Sequence, residues 1–370
     1  MKKIFFFLCL NIFAYSCQQR TDFHESNFSI YGHVKNIDTV IFEKIEADKL
    51  ILIDTLFAKD DKFVIANSTE TSSFFLLRTP QGEAINLLIK KGEEIEISGE
   101  KTNWKRNYSI KGSKGSLKLK EINQKLEKFE YSLNLIFEEA KKAKKEDYSD
   151  IQERFIQLLL NHKQYLKGFI KQNINSKVCV LALFQSFRNE NILNLIEDFD
   201  DYYAVQESFL KNWPESSHSI LLNKIIKMAY AKEFSMMDNN GEEFYLSNFN
   251  EKVIIIDFWA SWCKPCRKES PLLRKLYSKY HTKGLEMVSV SLDGTPQQKT
   301  PKEDWKKAIE EDKKTWIQTS ELKGWESEIR NTFNVTSLPH TLLINQKGRI
   351  IGENLEPKEL EKKIIILLDL

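Results

Sequence analysis

The residues with the most evident chemistry are Cys263 and Cys266, which bracket Lys264 and Pro265 just beyond the apolar run Val253 to Trp259. A strand passing into a helix here puts Cys263 at the helix N-terminus, where unpaired backbone N–H groups and the positive end of the dipole favour a thiolate. Cys263 is therefore read as the nucleophile. The helix then turns Cys266 back onto the same face within disulfide reach, Pro265 gives up an N–H that the first turn does not use, and Lys264 adds a positive charge. This set can attack an external disulfide through Cys263, hold a mixed disulfide there, and release the product when Cys266 attacks Cys263. A zinc site would need two more ligands, yet there is no second cysteine pair and the nearest downstream histidine is His281, near the far end of the expected helix. Neither a metal nor another cofactor is implied. A structural disulfide is the plain alternative in an exported chain, but it requires neither the flanking Trp262 nor the interior Lys-Pro.

Elements of suitable length surround the pair. The chain has 370 residues, which at about 150 residues per domain implies two or three units. Only 13 glycines and 8 prolines, 41% hydrophobic and 29% charged residues describe a folded, well-solvated chain and exclude collagen-like and polytopic membrane architectures. The net charge of +2 resides in Lys2 and Lys3, so the remainder is balanced and carries no footprint for nucleic acid.

Residues 1–16 read as a signal peptide: two lysines, the apolar run Ile4 to Tyr15 interrupted by Asn11, and small residues at Ala14 and Ser16. The run is too short to span a bilayer. Cys17 follows the cleavage point, and the segment resembles a bacterial lipoprotein box, although Ala14 and Tyr15 depart from the usual Leu and small residue. The reading is a lipid anchor on Cys17, then a tether over 17–25. Cys9 leaves with the leader, so Cys179, Cys263 and Cys266 are the remaining thiols.

Residues 26–112 alternate in short apolar strands, among them Thr39 to Ile45 and Leu50 to Phe57, separated by turns such as Thr79-Pro80-Gln81-Gly82 and by Lys91-Gly92-Glu93, read as a hairpin. They predict a small antiparallel β-sandwich or barrel serving as a docking module or spacer. Over 113–231 the period becomes helical. Leu119 to Ala140 and Ile151 to Phe169 should pack as a hairpin, with His162 a core or boundary histidine and Cys179 an inert buried thiol. Lys141, Lys142, Lys144 and Lys145 are read as a solvated helix end. Residues 232–370 alternate strand and helix, with one helix expected around Trp325 to Phe333, into an α/β sheet covered on both faces.

Within this last region the sequence resembles the thioredoxin superfamily and, inside it, the TlpA/ResA-like (AhpC/TSA-type) thiol-disulfide oxidoreductases. Val253 to Cys266, V-I-I-I-D-F-W-A-S-W-C-K-P-C, looks like the family's strand and active-site turn, Pro271 like its helix kink, and Val335-Thr336-Ser337-Leu338-Pro339 like its cis-proline segment. Asp304 to Trp325 looks like the TlpA-branch insertion. The resemblance implies a C-terminal thioredoxin-like fold behind a small all-β domain and a helical segment, with Asp257 as a buried acid/base for Cys266. Pro339 would leave neighbouring backbone free to pair with a substrate strand. Trp262 and Leu338 would form an apolar rim and, with Lys264, Pro265 and His340, meet the substrate; His340 departs from the family's threonine. Glu269 is read as a helix-surface charge.

The function expected is thiol-disulfide exchange with protein substrates in the cell envelope, facing the periplasm, with the outer membrane preferred. A membrane electron donor or acceptor would be the second partner. A thiol peroxidase on the same fold is disfavoured because Ile256 and Ala260 occupy the positions where its P-x-x-x-T-x-x-C pattern needs Pro and Thr. A non-catalytic binding lipoprotein is disfavoured by the intact cysteine pair.

Overall fold

A computed structural model describes residues 26–370, so the leader, Cys17 and most of the tether lie outside the described residues. The described chain divides into two compact units. One comprises the residues up to Ile45 with Lys49–Glu121, the other Glu46–Asp48 with Ile122–Leu370.

The first unit holds strands β1 (Phe28–Lys35), β2 (Thr39–Ile45), β3 (Leu50–Phe57), β4 (Lys62–Asn67), β5 (Ser73–Arg78), β6 (Ala84–Ile89), β7 (Glu94–Glu100) and β8 (Tyr108–Lys111). They form two four-stranded sheets, β4-β1-β7-β8 and β3-β2-β5-β6. Alternation sends Ile30, Val34, Phe42 and Leu77 into one core, where the rings of Phe42 and Phe75 stack with centroids 5.1 Å apart. The Thr79–Gly82 turn joins β5 to β6 as expected, with the Gly82 N–H on the Thr79 carbonyl at 3.0 Å. The Lys91-Gly92-Glu93 hairpin does not form: β6 and β7 lie in different sheets, and β7 runs parallel to β1 and antiparallel to β8. The start of β1 captures this turn, since Gly92 donates to the Asn27 carbonyl at 2.7 Å and Ser29 donates to that of Glu93 at 3.1 Å. Local turn chemistry permits the reversal; long-range pairing selects the sheet.

Helix α1 (Lys114–Ala140) carries the chain across the division, and α2 (Tyr148–Gln172) returns along it. The helical hairpin is sealed by Phe137 against Phe155 at 5.8 Å and by Phe129 stacked on His162 at 4.1 Å. His162 is buried and bonded to Gln185 at 2.9 Å, the satisfied core histidine that its stripe position suggested. Next come α3 (Cys179–Leu183), the short pair β9 (Ser186–Phe187) and β10 (Glu190–Asn191), α4 (Phe199–Asn212) and α5 (Ser217–Met228). Burial pushes the Cys179 thiol up to about 12, which makes it unreactive at neutral pH.

The remaining elements are β11 (Ser235–Met237), β12 (Glu243–Tyr245), β13 (Val253–Trp259), α6 (Lys264–Tyr280), β14 (Leu285–Ser291), α7 (Pro301–Asp312), β15 (Ile317–Ser320), α8 (Glu328–Thr332), β16 (His340–Asn345), β17 (Ile350–Glu353) and α9 (Pro357–Leu367). Five of them make a sheet in the order β15-β14-β13-β16-β17. Strands β14 and β15 run parallel to β13, and β16 runs antiparallel to it. Every residue of β13 is buried because both faces are covered. Val253 and Ile255 meet Leu273 and Leu276 of α6 and Leu360 and Ile364 of α9, whereas Ile254, Ile256 and Phe258 meet Phe234, Ile329 and Val335. This is a thioredoxin-like fold, preceded by the β-sheets and the helical segment. The helix expected over Trp325 to Phe333 is split into a 3-10 turn, Gly324–Glu326, and α8, because Ser327 turns extended and caps α8 by accepting the Arg330 N–H at 3.1 Å. Among the described residues, no helix is long and apolar enough to cross a membrane.

The central strand should be the most sensitive place to remove volume. Ile256, fully buried, should cost about 3 kcal/mol as Ile256→Ala, whereas Val64→Ala, at an exposed strand position, should stay within about 0.5 kcal/mol. Urea unfolding followed by tryptophan fluorescence measures both.

Candidate active site

Strand β13 ends at Trp259, and four residues later Cys263 caps α6 with extended backbone, φ −79° and ψ 93°. Its Sγ accepts the backbone N–H of Cys266 at 3.3 Å. The first turn contains Pro265 and no acidic residue, so no carboxylate there offsets the positive helix end. Cys263 and Cys266 are joined as a disulfide with their Cα atoms 5.3 Å apart. Both are nearly buried and pack with Trp259, Trp305, Ala308 and Ile309, while Leu322 and Leu338 close the edge of this cluster. Trp262 stands 40% exposed beside it; Lys264 and Pro265 face solvent. The Leu338–Pro339 bond is cis.

Two further arrangements support the turn. Asp293, fully buried at the end of β14, accepts from the Ser261 N–H at 2.9 Å, from the Ser261 hydroxyl, and from Gln298 Nε2 at 2.6 Å. Arg267 donates to Asp312 at 2.5 Å and Glu311 at 2.9 Å while reaching the Ser261 carbonyl at 3.4 Å, which ties the end of α7 to the start of α6.

Asp257 is buried in β13 and accepts from the Ser289 hydroxyl at 2.8 Å. That hydroxyl accepts the Trp316 indole N–H at 2.8 Å. A second group is present that the motif did not reveal: the Lys314 ammonium, with its side chain 1% exposed, lies 3.4 Å from Asp257 Oδ2 and 3.5 Å from the centre of the Trp259 ring. Burial pushes the Lys314 pKa below its ordinary value, opposed by the charges of Asp257 and Asp312. In the sequence Lys314 closes the run Glu310-Glu311-Asp312-Lys313-Lys314, which reads as a solvated helix end. No local pattern marks it, because Lys314 lies in the connection between α7 and β15 and meets Asp257 only through the fold.

His340 is placed differently from the rim residues. It is 6% exposed, its ring meets Phe258 edge-on at 5.9 Å, its Nδ1 lies 3.2 Å from Asn354 Nδ2, and burial lowers its pKa. Glu269 is exposed on α6, although partial desolvation and the charge of Asp257 raise its carboxyl pKa. The structure thus gathers Cys263, Cys266, Trp262 and Leu338 at one place and puts Asp257 with Lys314 in the core.

A buried strand, a capped helix and a paired cysteine disulfide define a thioredoxin-like redox module. Comparison with known proteins agrees. The Redoxin family model matches residues 227–365. The thiol-disulfide oxidoreductase ResA of Bacillus thuringiensis subsp. konkukian is 33% identical over 135 residues, covering 34% of this chain and 70% of the relative. The sporulation thiol-disulfide oxidoreductase A of Bacillus subtilis is 30% identical over 129 residues, covering 35% and 74%. The solved thioredoxin domain of a Bacteroides vulgatus thiol-disulfide oxidoreductase is 32% identical, covering 38% of this chain and 95% of that one, with a TM-score of 0.33. The chain belongs to the ResA/TlpA-like thiol-disulfide oxidoreductase family of the thioredoxin superfamily and is an oxidoreductase of that kind.

The buried ion pair yields a measurable coupling. Lys314→Met should cost about 3 kcal/mol by stranding the Asp257 carboxylate, and the double variant with Asp257→Asn should recover at least about 1 kcal/mol of the summed losses. Because folding depresses the Lys314 pKa, the unfolded chain holds a proton that the folded chain has released between the depressed value and the ordinary 10.5. Stability from this group therefore rises with pH across that window. The rise should vanish in Lys314→Met when unfolding free energy is measured against pH.

Proposed function

We propose that this oxidoreductase works in the cell envelope on protein disulfides, held to a membrane by a lipid on Cys17. The observation that carries the catalytic reading is Cys263 capping α6 while its sulfur is paired with Cys266. In the reduced enzyme the Cys263 thiolate attacks one sulfur of a substrate disulfide. The substrate S–S bond breaks, its other sulfur leaves as a thiolate, and a mixed disulfide forms. Asp257 takes the Cys266 proton, and the Cys266 thiolate displaces the substrate sulfur from Cys263. This releases the second substrate thiol and leaves the Cys263–Cys266 disulfide; two electrons have moved from enzyme to substrate. A dithiol electron donor restores the thiols, and reversal of every step describes oxidation of a substrate dithiol. In this reading Pro339 and Leu338 present backbone and apolar surface to the substrate segment, and Lys264 favours the thiolate.

The envelope reading rests on the expected leader and on Cys17, with residues 26–112 and 113–231 acting as spacer or docking regions for the redox module at 232–370. The outer membrane facing the periplasm is the preferred place, and a membrane-bound electron donor or acceptor the second partner.

Cys266→Ser should trap substrates as mixed disulfides on Cys263, detected as reductant-sensitive adducts on non-reducing gels, and Cys263→Ser should trap none. Equal trapping by both variants would reverse or abolish the assigned roles. Metabolic labelling with palmitate should mark the intact chain and be lost in Cys17→Ala.

A further inference from the structure

Cys263 and Cys266 are nearly buried, so a protein substrate must be gripped by what surrounds them. The largest exposed apolar groups at this edge are two tryptophans from different elements. Trp262 precedes Cys263, and Trp325 lies in the 3-10 turn before α8. They are 40% and 37% exposed, with ring centroids 6.4 Å apart and planes inclined at 49°. Rings so inclined are not stacked on one another and leave apolar surface open to a third group. Leu322 and Leu338, partly buried, pack against the cluster that holds the two cysteines.

The second tryptophan is held in place by the fold. Gly324 donates its N–H to the Asp293 carbonyl at 3.0 Å, and the Asp293 carboxylate accepts from the Ser261 N–H. One buried residue therefore sets both tryptophan-bearing loops. Gly294 makes the approach possible: a Cβ there would stand 2.0 Å from the Leu322 carbonyl oxygen, and its φ of +103° also suits glycine. The Arg330 guanidinium lies 5.4 Å from the centre of the Trp325 ring and steadies it. The nearby Lys323 ammonium is shared by Glu321 at 3.3 Å and Glu328 at 3.4 Å, and Glu326 is exposed in the turn, so the apolar surface is flanked by net negative charge.

We propose that Trp262 and Trp325 form an aromatic clamp continuous with the disulfide, and that Trp325 is a specificity residue selecting protein segments with an aromatic or large aliphatic side chain beside the reacting cysteine. This rests on the protein-disulfide reading above. An inserted apolar side chain desolvates both indoles, whereas a small or charged one leaves them wet. The clamp sorts substrates and plays no part in moving electrons.

The test uses the purified, reduced full chain and three oxidants: a disulfide peptide with Phe and Leu beside its cysteines, the same peptide with Gly and Asp there, and oxidised glutathione. Trp325→Ala should slow reduction of the apolar peptide about tenfold, while rates with the other two, and the equilibrium constant with glutathione, stay within about twofold. Trp325→Phe should keep most of the preference. Gly294→Ala, which displaces the turn but retains both indoles, should lose it. An unchanged preference in Trp325→Ala, or an equal loss towards all three oxidants, overturns the clamp. Failure of the unmodified reduced enzyme to reduce either peptide, or reduction by Cys263→Ser at the unmodified rate, would instead overturn the underlying protein-disulfide reading.

Discussion

The site depends on a backbone N–H pointing at a sulfur. Cys266 donates to Cys263 Sγ because α6 begins at the residue after Cys263, and α6 begins there because a wholly buried strand delivers the chain to that point. The helix end supplies positive potential without a mobile cation, so a thiolate can be favoured while remaining almost covered. Covering it removes water; leaving Trp262 exposed keeps a route for a partner.

That strand carries an electrostatic cost within its own core. Asp257 is the sole charged residue in the seven of β13, and its carboxylate is met by one hydroxyl and the buried Lys314 ammonium. Removing two charges from water costs several kcal/mol per ion unless geometry and further hydrogen bonds offset it. The Trp259 face beneath Lys314 and the Ser289–Trp316 bond provide part of that offset. The same region is braced by Arg267, which joins the acidic end of α7 to the carbonyl of Ser261. Direct contacts therefore join the redox turn, α7 and the buried pair.

Sequence patterning recovered the parts whose information is local. The β13 run, the helix opening after Cys263, the strand limits of β2 and β3, and the helical stripes through Phe129 and His162 each follow from periods of two or three and a half residues or from capping chemistry. The misread parts depend on distant partners. Lys91-Gly92-Glu93 could close a hairpin or hand the chain to a second sheet, and Asn27, sixty-five residues before Gly92, decides between them. Trp325 to Phe333 is helical in pattern, yet Ser327 breaks it to cap a shorter helix.

At the site the division is similar. Two cysteines at this spacing, preceded by an apolar strand, declared their chemistry in the sequence because helix-end electrostatics is a property of adjacent residues. The fold decided what surrounds them. Lys314, fifty-seven residues beyond Asp257, becomes its counter-ion only when α7 folds back, and His340 lies on the Phe258 side because it stands opposite Phe258 in the β13–β16 register. Trp325 reaches Trp262 only because two loops meet at Asp293. Local spacing determined the reactive pair; packing between distant segments, which no single stretch of sequence encodes, decided its charge environment and its exposed rim.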